Sequence, residues 1–213
     1  MKKKILLVLL ILVVMFLSYK IYIKISFNNL VNNTINYNDK INYSTDITTS
    51  IKGKDYLKIN YQIIKTSNKK KIILSNYIND NLENQIEKYI INDKAYIYNN
   101  DKFEEIKNNE EKINVNYKKL KQSKVKLLTN NSYMIKMKAS DAYNMLYIKD
   151  VMKEKDLNKN IIVTVKKDEN NNFIKEISYT IDNLNNNKDN PLKYKVEIFN
   201  TDINNSNNIK LPF

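Results

Sequence analysis

The 213-residue chain has no cysteine, histidine or tryptophan, one glycine and two prolines. Arginine is also absent, so all 36 basic residues are lysines. Lack of cysteine excludes disulfides, thiol nucleophiles and thiolate metal sites. Lack of histidine removes the commonest general base and metal ligand. Asp and Asn side chains leave a hard-cation site open, but no D-x-[DN]-x-[DN]-G loop is present, so we expect no cofactor and no metal site. The abundant residues, Lys, Asn, Ile and Tyr, have AT-rich codons, which indicates a low-GC bacterial genome.

The formal net charge of +13 is unevenly distributed. Five lysines lie in residues 1–25 and all 23 acidic residues lie beyond them, which leaves +8 for residues 26–213. Such a charge favours contact with anionic headgroups or cell-wall polymers. The same charge also arises if lysine is simply the default polar residue of this genome. We predict no nucleic-acid partner, because arginine is absent and the domain is expected outside the cell.

The first 25 residues have the pattern of a membrane-targeting segment. Lys2, Lys3 and Lys4 precede an apolar run over residues 5–17, and no small-residue cleavage site follows. We therefore predict an uncleaved signal anchor over 1–25, with a cleaved signal as the alternative. The positive-inside rule places residues 26–213 on the extracellular side of the cell membrane.

The remainder, residues 26–213, is long enough for one domain with its own core. Period-two alternation predicts strands in hairpin order, most clearly over 124–138, with asparagines as the turn residues. A short helix is predicted over 26–38, another near Tyr117 and Leu120, and a longer one over 141–157. The predicted fold class is α+β: a transmembrane helix and then a large curved antiparallel sheet of about 9–11 strands wrapped around two or three helices.

This layout resembles the LolA-like superfamily of lipoprotein carriers and lipid-binding lipoproteins, whose fold is a half-open β-barrel around helices. The resemblance rests on the order of the leader, the hairpin KYIINDKAYIYNND at 88–101 and the strand-to-helix junction SYMIKMKASDAYNMLY at 132–147. It continues in NFIKEISYTID at 172–182, YKVEIFN at 194–200 and IKLP at 209–212. The chain also resembles small membrane-anchored proteins of low-GC Gram-positive bacteria. The resemblance implies an apolar binding cleft in the concavity of the sheet.

We therefore predict an anchored extracytoplasmic domain that binds a lipid, an acylated molecule or another apolar ligand. The residues predicted to line the cleft are Ile59, Tyr61, Ile63, Tyr89, Ile97, Tyr133, Ile135, Met137, Ile177 and Tyr179. A movable lid is predicted from Ala142, Met145, Leu146 and Met152. Tyrosine and methionine suit an adaptable apolar cleft, but the same residues would also serve as an ordinary closed core.

The alternative function is a non-enzymatic envelope protein that binds another protein or an anionic wall polymer. An enzyme is not expected. The densest acidic cluster comprises Glu104, Glu105, Glu110 and Glu111. Paired carboxylates can hydrolyse glycosides, but adjacent glutamates in a lysine-rich segment are typical of a solvated surface.

Overall fold

The computed structural model describes residues 2–40, 43–52, 56–65, 69–92, 94–99, 102–106, 115–146, 159–182 and 193–202. Within them, a long helix α1 (Lys2–Lys40) precedes eleven strands, a 3-10 helix (Tyr117–Gln122) and a short helix α2 (Ala139–Tyr143). The strands are β1 (Tyr43–Lys52), β2 (Tyr56–Lys65), β3 (Lys69–Ile78), β4 (Asn81–Ile91), β5 (Lys94–Asn99), β6 (Lys102–Ile106), β7 (Lys124–Thr129), β8 (Ser132–Lys138), β9 (Asn160–Lys167), β10 (Ile174–Ile181) and β11 (Lys193–Asp202).

All eleven strands belong to one curved antiparallel sheet, with the order β6-β5-β4-β3-β2-β1-β11-β10-β9-β8-β7. Two meanders, β1–β6 and β7–β11, join where β1 pairs with β11. The predicted α+β class, with an apolar N-terminal helix and a large antiparallel sheet, is confirmed.

Asparagine and aspartate form the tight turns where glycine is scarce. Asn79, Asp80 and Asn92 have φ values of 49°, 65° and 48°, in the left-handed region that these residue types tolerate better than other non-glycine residues. Asn79 and Asp80 connect β3 to β4, and Asn92 follows β4. The prediction that asparagine takes the place of glycine in turns is therefore confirmed at Asn92.

Helix α1 is continuous over 39 residues, so the predicted anchor and the predicted short helix are one element. No glycine or proline interrupts residues 2–40, which removes the usual causes of a break or kink. Its two parts differ in burial. Every side chain from Lys4 to Tyr22 is exposed, whereas Phe27 is fully buried in the core. Within the described residues α1 holds one candidate membrane span, with a mean hydropathy of 2.6.

A chain of buried hydrogen bonds fastens α1 to the sheet. The Thr34 hydroxyl donates to the Leu30 carbonyl at 2.8 Å and accepts from the Ile174 amide at 2.8 Å. The Asn200 side-chain amide donates to the Ile174 carbonyl at 2.8 Å. Its oxygen accepts from the Thr45 hydroxyl at 2.9 Å. The helix therefore reaches β10, β11 and β1 through polar groups that are each bonded.

The helix predicted over 141–157 does not run through residues 144–146. The spacing of Ala142, Met145 and Leu146 favours a helix over 141–157, but α2 ends at Tyr143. Met145 lies in a turn, and Leu146 forms an isolated antiparallel bridge with Val115. These side chains are buried as expected, but an irregular backbone rather than a helix carries the last two. Residues 147–158 lie outside the described residues.

Candidate functional site

Cross-strand register defines a continuous apolar face on the sheet. Ile47 on β1 lies opposite Tyr61 on β2 and opposite Ile198 on β11, and Ile198 lies opposite Ile177 on β10. Directly opposed residues in antiparallel strands point to the same side of a sheet. The buried parts of the helices pack on this side, so we call it the concave face. The predicted cleft residues that the register places on it are Ile59, Tyr61, Ile63, Ile97, Tyr133, Ile135, Met137, Ile177 and Tyr179.

Tyr89 is the predicted cleft residue that lies on the other, convex face, and its inclusion in the concave set is wrong. Its partner on β3 is Lys71, whereas the neighbouring Ile72 pairs with Ile63 on the concave face. The Lys71 ammonium lies 5.2 Å from the centre of the Tyr89 ring. The ring of Phe103 lies 5.4 Å from that of Tyr89. Tyr89 is therefore buried by convex-face neighbours, not by a cleft.

The half of the concave face formed by β8, β9 and β10 is covered by helices. The ring of Phe27 lies 5.1 Å from that of Tyr133, and the Tyr179 hydroxyl donates to the Ala142 carbonyl at 2.8 Å. Complete burial raises the pKa of Tyr179 well above its ordinary value, so the phenol keeps the proton that it donates. The predicted cleft residues on this half are all less than a tenth exposed, and they are Tyr133, Ile135, Met137, Ile177 and Tyr179. They form closed core in this structure.

The other half of the concave face, on β2, β3 and β4, includes apolar side chains that remain open to solvent. Leu57 and Ile78 lie opposite each other and are 42% and 41% exposed. Ile86 lies opposite Leu74 and is 39% exposed. Toward β1 the same face closes over Tyr61, which is 7% exposed. We call Leu57, Ile78 and Ile86, together with the half-buried Ile59 and Leu74, the open apolar face.

Sequence reasoning placed Ile59 in the cleft but missed Leu57, Leu74, Ile78 and Ile86. A weak signal for Ile86 existed in the apolar spacing of Ile86 and Ile90 on β4. The competing row of Tyr89 and Ile91 is equally apolar, so period two alone did not identify the inward row.

Charged groups border the predicted cleft on β4, β5 and β6. Ile97 lies opposite Lys88 on one side and opposite Glu104 on the other. Lys88 also pairs with Ile72, so its half-buried stem runs along apolar side chains while the ammonium remains a polar end. Among the described residues, no group of acidic side chains is arranged to hold a metal ion.

The residues predicted as a lid are packed and hydrogen-bonded. Ala142 and Met145 have no exposed surface, and Leu146 is 6% exposed. The Asn116 amide donates to the Met145 carbonyl at 2.7 Å. Together with the hydrogen bond from Tyr179 to Ala142, this contact holds the segment against β10 and the 115–116 segment. Met152, the fourth predicted lid residue, lies outside the described residues, and movement of the lid remains a prediction.

No protein-family model matches the chain, and no curated protein matches it. A similar solved structure is the crystal structure of LprF from Mycobacterium bovis, which is 9% identical in sequence. The superposition covers 86% of this chain and 95% of LprF, with a TM-score of 0.45. A likeness at this level carries no functional inference.

Proposed function

We propose that this protein is a single-pass membrane-anchored domain, with its bulk on the extracellular side, that binds a lipid or another apolar ligand in the concavity of its sheet. The observation that carries the proposal is the open apolar face. Monomeric domains seldom leave contiguous large apolar side chains exposed unless the surface binds something. Concave surfaces of this kind, mostly apolar with a few polar groups, are typical of small-ligand sites.

The concave face has one half covered by helices and another half with exposed apolar side chains. This difference supports binding rather than a purely structural role. The helices that cover β8–β10 provide a core, with ring contacts and buried hydrogen bonds. Tyr61, Ile63 and Ile72 on β2 and β3 belong to the same core and are less than a tenth exposed. The domain can therefore remain folded while the open apolar face is empty. We propose a binding role without catalysis, in keeping with a chain that has neither histidine nor cysteine.

Photolabelling can test the site directly. The full chain is placed in lipid nanodiscs with a fatty acid that carries a diazirine near the end of its acyl chain. After irradiation, labelled peptides are identified by mass spectrometry. We expect label in peptides that contain residues 56–65, 69–78 and 81–91, in addition to the label in α1 that any membrane helix acquires.

A matched pair of variants separates the site from general apolarity. Ile78→Lys combined with Ile86→Lys places two charges on the open apolar face and should remove label from β2–β4. Leu82→Lys changes a convex-face leucine of β4 that is 54% exposed and should leave the label in place. Because all three positions are exposed, each substitution should cost no more than about 0.5 kcal/mol of stability. Label confined to α1 in the unmodified chain would refute the proposed site.

A further inference from the structure

The segment beside the point where α1 enters the domain is rich in lysine. Residues 115–138 include seven lysines and no aspartate or glutamate. They form the 3-10 helix, β7 and β8. Residues 2–38 of α1 likewise contain lysines and no acid. Lys119 pairs with Asp141 at 3.5 Å, and the other six lysines leave residues 115–138 positively charged.

Hydrogen bonds place this region at the entry of α1. The Lys24 ammonium donates to the Lys121 carbonyl at 2.6 Å and to the Ser123 carbonyl at 2.7 Å. Ser123 directly precedes β7, whose first residue is Lys124. On the helix, Tyr22 is exposed and Ile23 is buried. The start of β7 therefore lies beside the residues where α1 changes from exposed to buried.

The length of the exposed helix fixes where a bilayer would end. Residues 5–22 extend over roughly 27 Å at about 1.5 Å per residue, close to the hydrocarbon thickness of about 30 Å. Because α1 continues into the core without interruption, no flexible spacer separates the span from the domain. If residues 5–22 cross the membrane, Lys24 and the start of β7 lie at the level of the lipid headgroups.

The exposed lysines of this region lie in the 3-10 helix and the two adjoining strands. They are Lys118, Lys124, Lys126, Lys136 and Lys138, and we call them the basic edge. Lys124 lies opposite Lys136, and Lys136 lies opposite Ile162. Like charges directly opposite each other destabilise a strand pair, so fold stability alone does not account for this arrangement.

Protection of a free strand edge is the other physical explanation for lysines on β7. Edge strands often carry lysines, which prevent pairing with another chain. That reason does not extend to Lys136 and Lys138, because β8 is an interior strand that pairs with both β7 and β9. Their exposed ammonium groups are therefore placed where an anionic surface outside the sheet can reach them.

We propose that the basic edge binds the anionic phospholipid headgroups of the membrane that holds residues 5–22, and so fixes the orientation of the domain on the bilayer. This inference rests on the anchor in the proposed function but not on the apolar ligand. Charge complementarity and continuity with the membrane helix identify the occupant. Each lysine near an anionic surface should favour the docked state roughly fivefold.

The test uses the full chain in nanodiscs made of phosphatidylcholine alone or with phosphatidylglycerol. Because the chain has no cysteine, Ile162→Cys accepts a single fluorophore beside Lys136, and quenching by a nitroxide-headgroup lipid reports docking. Asn170→Cys places a fluorophore in the turn between β9 and β10, at the end of these strands that is farther from the start of β7. We expect strong quenching at position 162 only when phosphatidylglycerol is present, and its loss at high salt as charges are screened.

Two charge-matched variants show whether position or total charge matters. The test variant combines Lys124→Gln, Lys126→Gln and Lys136→Gln, and the control combines Lys102→Gln, Lys175→Gln and Lys193→Gln. The test variant should lower the ratio of docked to undocked molecules roughly 100-fold, the product of three fivefold effects. The control, whose lysines are also exposed, should behave as the unmodified chain.

Several results would overturn the proposal. Equal quenching in neutral and anionic discs, or equal loss in both triple variants, would show that the basic edge does not recognise headgroups. Binding of soluble poly(glycerol phosphate) by the unmodified chain but not by the test variant, with no quenching response to phosphatidylglycerol, would identify a wall polymer as the occupant instead. A chain that does not remain with the disc would remove the anchor itself, a failure distinct from loss of docking.

Discussion

The hydrogen bonds around Asn200 should contribute strongly to holding α1 in the domain. The Asn200 side chain accepts from the hydroxyls of Thr45 and Tyr117, each at 2.9 Å, and donates to the Ile174 carbonyl at 2.8 Å. Ile174 in turn donates its amide to Thr34 on α1. Thr34, Thr45, Tyr117 and Asn200 are each less than a twentieth exposed. Asn200→Ala therefore removes three buried hydrogen bonds at the junction of helix and sheet.

The size of the effect follows from the three partners left behind. A buried hydrogen bond contributes about 1 kcal/mol net, and a buried group left without a partner costs about 1–3 kcal/mol. We expect Asn200→Ala to lower the free energy of unfolding by about 4 kcal/mol. For a domain of this size, about 1 kcal/mol shifts Tm by roughly 2–4 °C. The expected decrease in Tm is therefore roughly 8–16 °C.

This change in Tm can be measured by thermal unfolding of the full chain in nanodiscs, with the near-ultraviolet circular dichroism of the tyrosines as the signal. Asn160→Ala is a matched control, because Asn160 begins β9 and is exposed. Hydrogen exchange should also become faster in the part of α1 beyond Ile23, because Thr34 loses a well-fixed donor. A decrease in Tm no larger than that of Asn160→Ala would refute the role assigned to this network.

Two further substitutions test the packed segment and the convex face. Tyr179→Phe removes the hydrogen bond to the Ala142 carbonyl and should cost about 1–3 kcal/mol, with faster hydrogen exchange over 139–143. If exchange there is unchanged, the hydroxyl does not hold the lid segment. For Glu87, burial alone would raise its pKa, but hydrogen bonds from Lys71 and Tyr89 lower it overall. This stabilisation is therefore present above the ordinary glutamate pKa of 4.5 and is lost as the pH falls through the lower folded-state pKa. The Tm difference between the unmodified chain and Lys71→Met should be larger at pH 6 than at about pH 3, and a difference independent of pH would contradict the shift.

The sequence predicts the architecture well because its signals are local. Alternation over 124–138 identifies the hairpin of β7 and β8, and the absence of glycine and proline allows α1 to run unbroken into the domain. Two features depend on contacts between distant segments and were missed. On β4 both rows of side chains are apolar, so only pairing with β3 shows that Tyr89 points outward. The spacing of Ala142, Met145 and Leu146 correctly indicates burial, but the bridge to Val115 replaces the helix.

The site was partly predictable for the same reason. Alternation identifies which residues share the concave face, as it does for Tyr61 and Ile177, but it does not show which of them a helix covers. That depends on the path of α1, whose ring contact between Phe27 and Tyr133 joins residues far apart in sequence. The exposed pair of Leu57 and Ile78 becomes visible only once β2 and β3 are in register.

The order of the strands places the two proposed surfaces far apart. β3, which carries part of the open apolar face, is separated from β7 by seven strand-to-strand steps. At about 4.8 Å per step, this amounts to roughly 34 Å along the curved sheet. Because the sheet is curved, this path is an upper limit on the straight distance. If β7 rests on the headgroups and the sheet leads away from them, the open apolar face is reached from the aqueous side. An apolar ligand would then be presented by another molecule or from solution, rather than pass directly from the bilayer beneath the domain.

A fluorophore on Leu57→Cys should accordingly escape headgroup quenching under the conditions that quench one on Ile162→Cys. Equal quenching at both positions would place the open face on the membrane and reverse the direction from which a ligand arrives.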